Sequence, residues 1–433
     1  MKKLLFYLNV LLIFLLQFIS EVVTPIPSAL FALLCVTAFL LVRPSHIMGL
    51  YLYLILLSSG GVLYLVNVMF FIMVIIYFYN EMTMDNSIVF ILGIIIIESV
   101  HVLINNSFGL DESIIKLFGF SICLLLFGFV RSLGKVIDIK ATLNFLIFGL
   151  LGFTMITTGI YLFKYSISNY FTEIKRFGFV PYKTEDGIGG LIINPNTLGK
   201  YCAFVIASIL ALSSFRKIKL NIWYIFALGV AAVVGLLTLS RTFLLVMALV
   251  MLIYLFTSVG ARNIFSIFTF IAVILIFIII LYSNEGLYDS LYNRIFETDD
   301  ISGSRFLIYS QYTAILFSHF SILLFGVGMQ NYMEKFSELD NLINQSTHNV
   351  LLEVLSSWGV IGLLIVIILF SLIIMQSKVK KLKNSKRIII LLPFLVVVLS
   401  AFFGQFFISY YHTFSITIFS LVILYSDGVI NHD

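Results

Sequence analysis

The chain has 433 residues, 61% of them hydrophobic and 11% charged, with a mean hydropathy of +1.12. Those values exclude a soluble globular protein and specify a polytopic membrane protein. A formal net charge of +5 would suggest nucleic acid in a soluble chain, but here the cations gather in short loops, where they set topology, and no nucleic-acid partner is expected.

The apolar runs approach the roughly 20 residues of a helical span and lack the ten-residue alternation of a membrane barrel, which makes the fold all-α with about 12–14 transmembrane helices. Lys2-Lys3 followed by LLFYLNVLLIFLLQFIS imitates a signal peptide. No small-x-small cleavage site follows, and Glu21 to Pro25 lead into another apolar run, so an uncleaved first helix is expected. The expected spans are 4 to 20, 26 to 42, 47 to 59, 61 to 79, 88 to 104, 115 to 130, 142 to 163, 191 to 213, 221 to 238, 241 to 258, 264 to 282, 349 to 376, 388 to 403 and 406 to 425. Residues 47 to 79 read as one long helix or as two broken at Ser58-Ser59-Gly60-Gly61. Two helices put Lys2/Lys3, Arg43, Arg131/Lys135/Lys140, Arg216/Lys217/Lys219, Arg262 and the Lys378 to Arg387 cluster on one side, the cytoplasmic one by the positive-inside rule. The two-helix reading is favoured, with both termini inside. It divides the chain into N-terminal helices (1–163), a large external loop (164–190), central helices (191–282), a second large external loop with an interfacial helix (283–348) and C-terminal helices (349–433). Cys35, Cys123 and Cys202 lie in apolar runs without metal-site spacing and read as packing residues.

The first large loop carries Arg176, Glu185 and Gly187, and enters the next helix through Asn194-Pro195-Asn196-Thr197-Leu198-Gly199. Asn194 suits an N-cap and Pro195 the first helical position. The free amides of such a start can hold an anion, although a capped helix and a solvated loop account for the same residues. Arg241, after Ser240, stands at a hairpin between spans, where an arginine either snorkels to lipid phosphate or turns inward to grip phosphate oxygens in pairs.

In the second loop, Ser302 or Ser304 would cap a helix opening at Arg305, directing a cation and helix amides to one anion site. The following apolar stretch is broken by Gln311, Ser318 and His319 before Gly326-Val327-Gly328, which predicts an interfacial or dipping helix. The loop ends at Gln345-Ser346-Thr347-His348-Asn349. A histidine in the first turn of the next helix would be kept neutral by the dipole and fit to act as a base, though a lone interfacial histidine more often touches a lipid headgroup. Glu353, inside the next span, needs a partner that Arg241 or Arg305 would supply. Glu98 and His101, on one face of an earlier helix, and His412 in the last span either line a cavity or, the better reading, are satisfied structurally.

Taken in order, Asn194-Pro195-Asn196-x-Leu198-Gly199, Ser240-Arg241, Ser304-Arg305, Gly326-x-Gly328, and His348-Asn349 ahead of Trp358-Gly359-x-Ile361-Gly362 resemble the O-antigen polymerase and O-antigen ligase superfamily over roughly residues 165 to 375. Arg176 and Gly187 also resemble an Arg-x10-Gly periplasmic-loop motif of the polymerases. The resemblance implies a GT-C-like glycosyltransferase of the bacterial inner membrane, with its active site on the external face, using undecaprenyl-diphosphate-linked oligosaccharides. It implies catalytic roles for His348, Arg305 and Arg241, and substrate contacts by Arg176, Asn194, Asn196, Asn349 and Glu353. Membrane lipids and a chain-length regulator are the other partner classes. No first-loop carboxylate pair accompanies Glu21, so no metal and no other cofactor is expected. Polymerase is favoured over ligase, which differs in its acceptor, and a lipid-linked oligosaccharide flippase is the rival outside the enzymes.

Overall fold

The computed structural model describes residues 2–79, 86–104, 110–164, 176–178, 191, 193–257, 275, 305–340 and 345–426. Among these residues the regular elements are helical throughout. They are α1 (Lys2–Val22), α2 (Ser28–Leu41), α3 (Ile47–Leu57), α4 (Gly60–Phe78), α5 (Ser87–Ile104), α6 (Leu110–Leu125), α7 (Val130–Val136), α8 (Ile139–Lys164), α9 (Pro195–Ser214), α10 (Ile222–Leu237), α11 (Arg241–Thr257), α12 (Arg305–Ser318), α13 (Phe320–Phe325), α14 (Tyr332–Asp340), α15 (Val350–Gln376), α16 (Asn384–Phe402) and α17 (Tyr410–Tyr425). A 3-10 turn over Leu126–Phe129 joins α6 to α7 in one continuous rod. Eight described segments are long and apolar enough to cross a membrane, and five shorter apolar helices accompany them. Together they account for every expected span except 264 to 282, which apart from Leu275 lies outside the described residues. The chain is an all-α polytopic membrane protein.

The short helices survive because protein, not lipid, surrounds them. All eleven residues of α3 are buried, and α3 packs chiefly on α8. At about 1.5 Å per residue such a helix falls short of a hydrocarbon core roughly 30 Å thick, so its ends need protein partners. By contrast α1 and α5 turn Leu4, Leu8, Leu11, Leu15, Val89 and Ile96 outward, the pattern of helices facing lipid. At the centre stands α9, buried along almost its whole length and packed against α8, α10, α11, α16 and α17. The three cysteines are buried free thiols within this core.

Contacts between loops decide how residues 47 to 79 are threaded. The backbone N–H of Asp138 donates to the carbonyl of Ser45 at 2.9 Å, and Tyr77 Oη donates to the carbonyl of Val42 at 3.1 Å. Both contacts require an even number of crossings between the partners, which two helices supply and one does not. At the opposite end, Gln17, Ser20, Glu21 and Ser28 line one cavity with Ser59 and Val62, so the α1–α2 turn and the α3–α4 break lie together. The 176–178 segment, the α10–α11 hairpin, residues 345–349 and residues 403–409 also meet one another at a single end, through the bonds described below.

The second-loop region forms a small satellite core in which Ile308, Tyr312, Ile315, Leu316, Val327, Tyr332 and Phe336 pack together. Its apolar stretch breaks at His319, between α12 and α13. Beyond α13, the N–H groups of Val327 and Gly328 donate to the carbonyls of Ser356 and Ser357 at 3.0 and 2.8 Å. The partner strand of backbone exists only because α15 kinks at Gly359, whose φ of 66° and ψ of −166° interrupt the helix. Gly326 and Gly359 bring the two backbones into contact. A Cβ on Gly326 would lie 2.3 Å from the Ser357 carbonyl carbon, and one on Gly359 would lie 2.2 Å from that of Leu324.

Gly359→Ala is therefore expected to destabilise the protein by at least about 1–3 kcal/mol from its backbone conformation alone, with the clash in addition. Gly229, where an added Cβ would meet nothing within 4 Å beyond its own stretch of helix, is expected to tolerate alanine without loss. Thermal unfolding of the two variants in the same detergent checks this. Equal midpoints would contradict the close approach at Gly359.

Candidate active site at one end of the bundle

The site is assembled from four segments distant in sequence. In the first, the Asn194 side chain caps α9 by accepting from Asn196 N at 2.9 Å, and Pro195 takes the first helical position. The cap leaves the side chain of Asn196 free to act as a bracket. Its Oδ1 accepts from Arg176 Nη2 at 2.8 Å and from Ser240 Oγ at 3.0 Å. Arg176 Nε donates to the carbonyl of Thr238 at 3.0 Å, and Phe177 N donates to that of Leu237 at 3.0 Å. These are carbonyls at the C-terminus of α10, which lack helical partners. Arg176, Asn194, Asn196 and Arg241 are thus gathered as one cluster, in which the bracketed 176–178 segment buttresses the hairpin carrying Arg241. Gly187, the other half of the Arg-x10-Gly pattern, lies outside the described residues.

Arg305 opens α12 as expected, while Ser302 and Ser304 lie outside the described residues. Arg305 faces Arg241 and Tyr309: burial and the Arg241 charge depress its pKa, and Tyr309 opposes that effect. Its guanidinium remains a cation in any case. Among the described residues Arg305 makes no ion pair with a carboxylate.

His348 departs from its expected position. Asn349 is the N-cap of α15, with its Oδ1 accepting from Leu351 N at 2.9 Å and Leu352 N at 3.3 Å. His348 therefore precedes the helix instead of occupying its first turn, and its φ of 49° is left-handed, a conformation rare for a side chain with a Cβ. The expected neutral ring is present, but its cause is different. Burial first, then the charges of Arg305 and Lys200, push the His348 pKa down to about 4. Its carbonyl accepts from Tyr309 Oη at 3.3 Å, its Nε2 lies 3.3 Å from Ser346 Oγ, and its buried Nδ1 has no hydrogen-bond partner among the described residues. Asn349 is fully engaged, since Nδ2 also donates to the carbonyl of Phe402 at 3.3 Å.

Glu353 finds its partners elsewhere than in Arg241 or Arg305. Its carboxylate accepts the backbone N–H of Phe406 at 3.0 Å and of Ile408 at 2.9 Å. The cation acting on it is Lys200, which is buried and donates to the carbonyl of Gln405. Lys200 was missed in the sequence although it directly follows Gly199: a cation within an apolar span is a functional signal in its own right. Gln405, whose Nε2 donates to Ser346 Oγ at 2.6 Å, carries no comparable signal, because its role depends on two chain segments meeting.

Glu98 and His101 are satisfied structurally. Glu98 accepts from Met329 N at 2.9 Å and from the Trp358 indole at 2.7 Å, and the His101 ring donates from Nε2 to the carbonyl of Phe325 at 2.9 Å. Both hold the Gly326-x-Gly328 turn against α5. His412 is half-buried, edge-on to Tyr201, and its Nε2 has no hydrogen-bond partner among the described residues, so the structural satisfaction expected of it is not found.

Arg305 and Lys200 thus act on the His348 imidazole at one end of the bundle, with Arg241 beside Arg305, an arrangement suited to binding an anion beside a base. No curated protein matches the chain. Residues 226–367 match the family described as O-antigen ligase, a segment that holds Arg241, Arg305, His348 and Glu353. The chain accordingly carries an O-antigen ligase family domain at residues 226–367, consistent with the O-antigen polymerase and ligase superfamily.

Proposed function

We propose that this protein is a polysaccharide polymerase, of O-antigen or capsule type, that joins undecaprenyl-diphosphate-linked oligosaccharide repeat units at the external face of the bacterial inner membrane. The observation that carries the reading is that Arg305, with Arg241 beside it, and Lys200 both act on His348, whose pKa is pushed down to about 4 and whose Nδ1 has no hydrogen-bond partner among the described residues. In this reading the acceptor hydroxyl oxygen attacks the anomeric carbon of the donor, and the bond from that carbon to the diphosphate oxygen breaks. The electron pair leaves with the lipid diphosphate. Arg241 and Arg305 stabilise the developing diphosphate charge, since guanidinium forks match phosphate oxygens in pairs. His348 Nδ1 accepts the hydroxyl proton. Arg176, Asn194, Asn196, Asn349 and Glu353 shape the site through the bonds they make within the protein, and bound substrate meets the polar surface they leave. Two large external loops on a GT-C-like helical body, with both termini cytoplasmic, complete the proposal. The residues account for this chemistry without a metal.

The description of the matching family as O-antigen ligase favours a second reading, in which the same donor chemistry delivers glycan to lipid A core. The acceptor discriminates the two. Purified protein in nanodiscs, given its lipid-diphosphate repeat unit, is expected to build a ladder of lengthened glycans on a gel. Arg305→Ala and His348→Ala are each expected to lower the rate by about 10²- to 10⁴-fold. Transfer to lipid A core without a ladder would establish the ligase. Transbilayer movement of labelled lipid with neither product would leave a flippase and refute the enzymatic reading.

The pH dependence follows from the same ring. The proton-accepting form is the neutral one, which predominates above a pKa of about 4, so activity is lost only as pH falls through that value. The acid limb of the kcat/KM profile is expected near pH 4, below the roughly 6.5 of an unperturbed histidine. An acid limb at 6.5 would mean that His348 is not the base, or that it titrates as if solvated.

A further inference from the structure

The segment carrying His348 is tied to the core of the bundle by a chain of polar contacts that no helix-packing requirement explains. Lys200, in the second turn of the buried helix α9, donates to the carbonyl of Gln405. The Gln405 side chain donates from Nε2 to Ser346 Oγ at 2.6 Å, and that oxygen lies 3.3 Å from His348 Nε2. A serine oxygen has two acceptor lone pairs, so it can take the Gln405 amide on one and an imidazole N–H on the other. The same contact also forms with Ser346 Oγ as donor and Nε2 as acceptor; the tautomer with its proton on Nε2 is the one that leaves the lone pair on Nδ1.

We propose that Lys200, Gln405 and Ser346 form a relay that orients His348 through its Nε2 and leaves Nδ1 as the nitrogen that meets the acceptor hydroxyl. This rests on the glycosyl-transfer reading above and assigns positioning roles to three residues that do not touch substrate. The left-handed backbone at His348, with φ of 49°, agrees with it: such a conformation costs about 1–3 kcal/mol and persists only where the surroundings hold it. Tyr309 Oη grips the His348 carbonyl at 3.3 Å, Tyr312 Oη grips that of Gln345 at 2.7 Å, and Thr347 Oγ1 donates to the carbonyl of Asn349 at 3.1 Å. These bonds fix the backbone of residues 345–349. The orientation of the ring is left to Ser346.

Among the described residues, the groups with a charge or a titratable proton around this ring are Arg305 and Tyr309 from α12, Arg241 from α11 beside Arg305, Lys200 from α9, Glu353 from α15 beside Lys200, and Tyr332 from α14 beside Thr347. Arg305 and Lys200 both disfavour the imidazolium. Lys200 therefore acts twice, by holding Gln405 and by its charge, and substitutions separate the two effects.

The test uses the full-length protein in nanodiscs with ring-labelled histidine, read by nitrogen chemical shifts and by glycan-ladder kinetics. Assignment comes from His348→Asn, and His46, at the opposite end of the bundle, reports that each variant is folded. Ser346→Ala and Gln405→Ala are expected to lower kcat by about 10- to 100-fold with the donor KM unchanged, and to shift the His348 nitrogens toward a mixture of tautomers. Ser346→Thr is expected to restore both. Lys200→Met is expected to move the His348 titration upward from about 4, whereas Lys200→Arg keeps it low. Unchanged shifts and turnover in folded Ser346→Ala and Gln405→Ala would overturn the relay. So would a His348 titration indifferent to Lys200→Met. If wild type makes no glycan product, the glycosyl-transfer reading fails by that result alone, and the shifts and titration still decide whether Ser346 and Lys200 govern the ring.

Discussion

Backbone that leaves the helical state inside an apolar body the thickness of a membrane must find its hydrogen-bond partners within the protein, because lipid offers none. Two buried carboxylates meet that demand. Glu353 collects the N–H groups of Phe406 and Ile408 from the turn between α16 and α17. Glu98 collects Met329 N beyond the Gly326-x-Gly328 turn, together with the Trp358 indole. The segment from Val350 to Trp358 links the two clamps, since it carries Glu353 at one end and reaches Glu98 through Trp358 at the other. The kink at Gly359 then frees the carbonyls of Ser356 and Ser357 to pair with Val327 and Gly328. Removing either carboxylate would strand several donors at once, a larger loss than a single surface bond.

The helices were legible because each expresses itself through length and apolarity. The break within 47 to 79 was legible through Ser58-Ser59-Gly60-Gly61, and charge parity chose the threading that the Ser45–Asp138 contact requires. The cap at Asn194 was legible from its residue type and the proline after it. At the second helix entrance the register was not, because His348 and Asn349 are adjacent polar residues and only the folded backbone decides which one caps. That one-residue shift changes the cause of a neutral histidine from the helix dipole to burial beside Arg305 and Lys200. The partner of Glu353 was illegible for a different reason. It is main chain, and every residue type but proline presents the same N–H, so no pattern of side chains announces it.

The polar side chains first read as substrate contacts are, for the most part, fastenings. Asn196 bridges Arg176 and Ser240, Asn349 caps α15 and holds the Phe402 carbonyl, and Asn194 caps α9. A fastening of this kind still bears on chemistry, since a reacting group must be placed to within a fraction of an ångström and is held there by the groups behind it. Arg241 begins a helix whose next residue, Thr242, donates to the carbonyl of Phe403 at 2.9 Å, so the hairpin is tied to the same turn that Glu353 clamps. The cations and the imidazole therefore share one scaffold.

Electrostatics gives that scaffold a direction. Glu353 has its oxygens occupied by backbone N–H and faces Lys200. Arg305 has no carboxylate partner among the described residues and stands within the field of Arg241. Two guanidinium groups held close together repel each other, so an anion that reaches both would stabilise the arrangement. On the proposed reading that anion is the donor diphosphate, and its charge would offset those of Arg305 and Lys200, which disfavour protonation of His348. On that reading the ring would be a better base with the donor bound than without it, which would couple proton transfer to occupancy by the diphosphate.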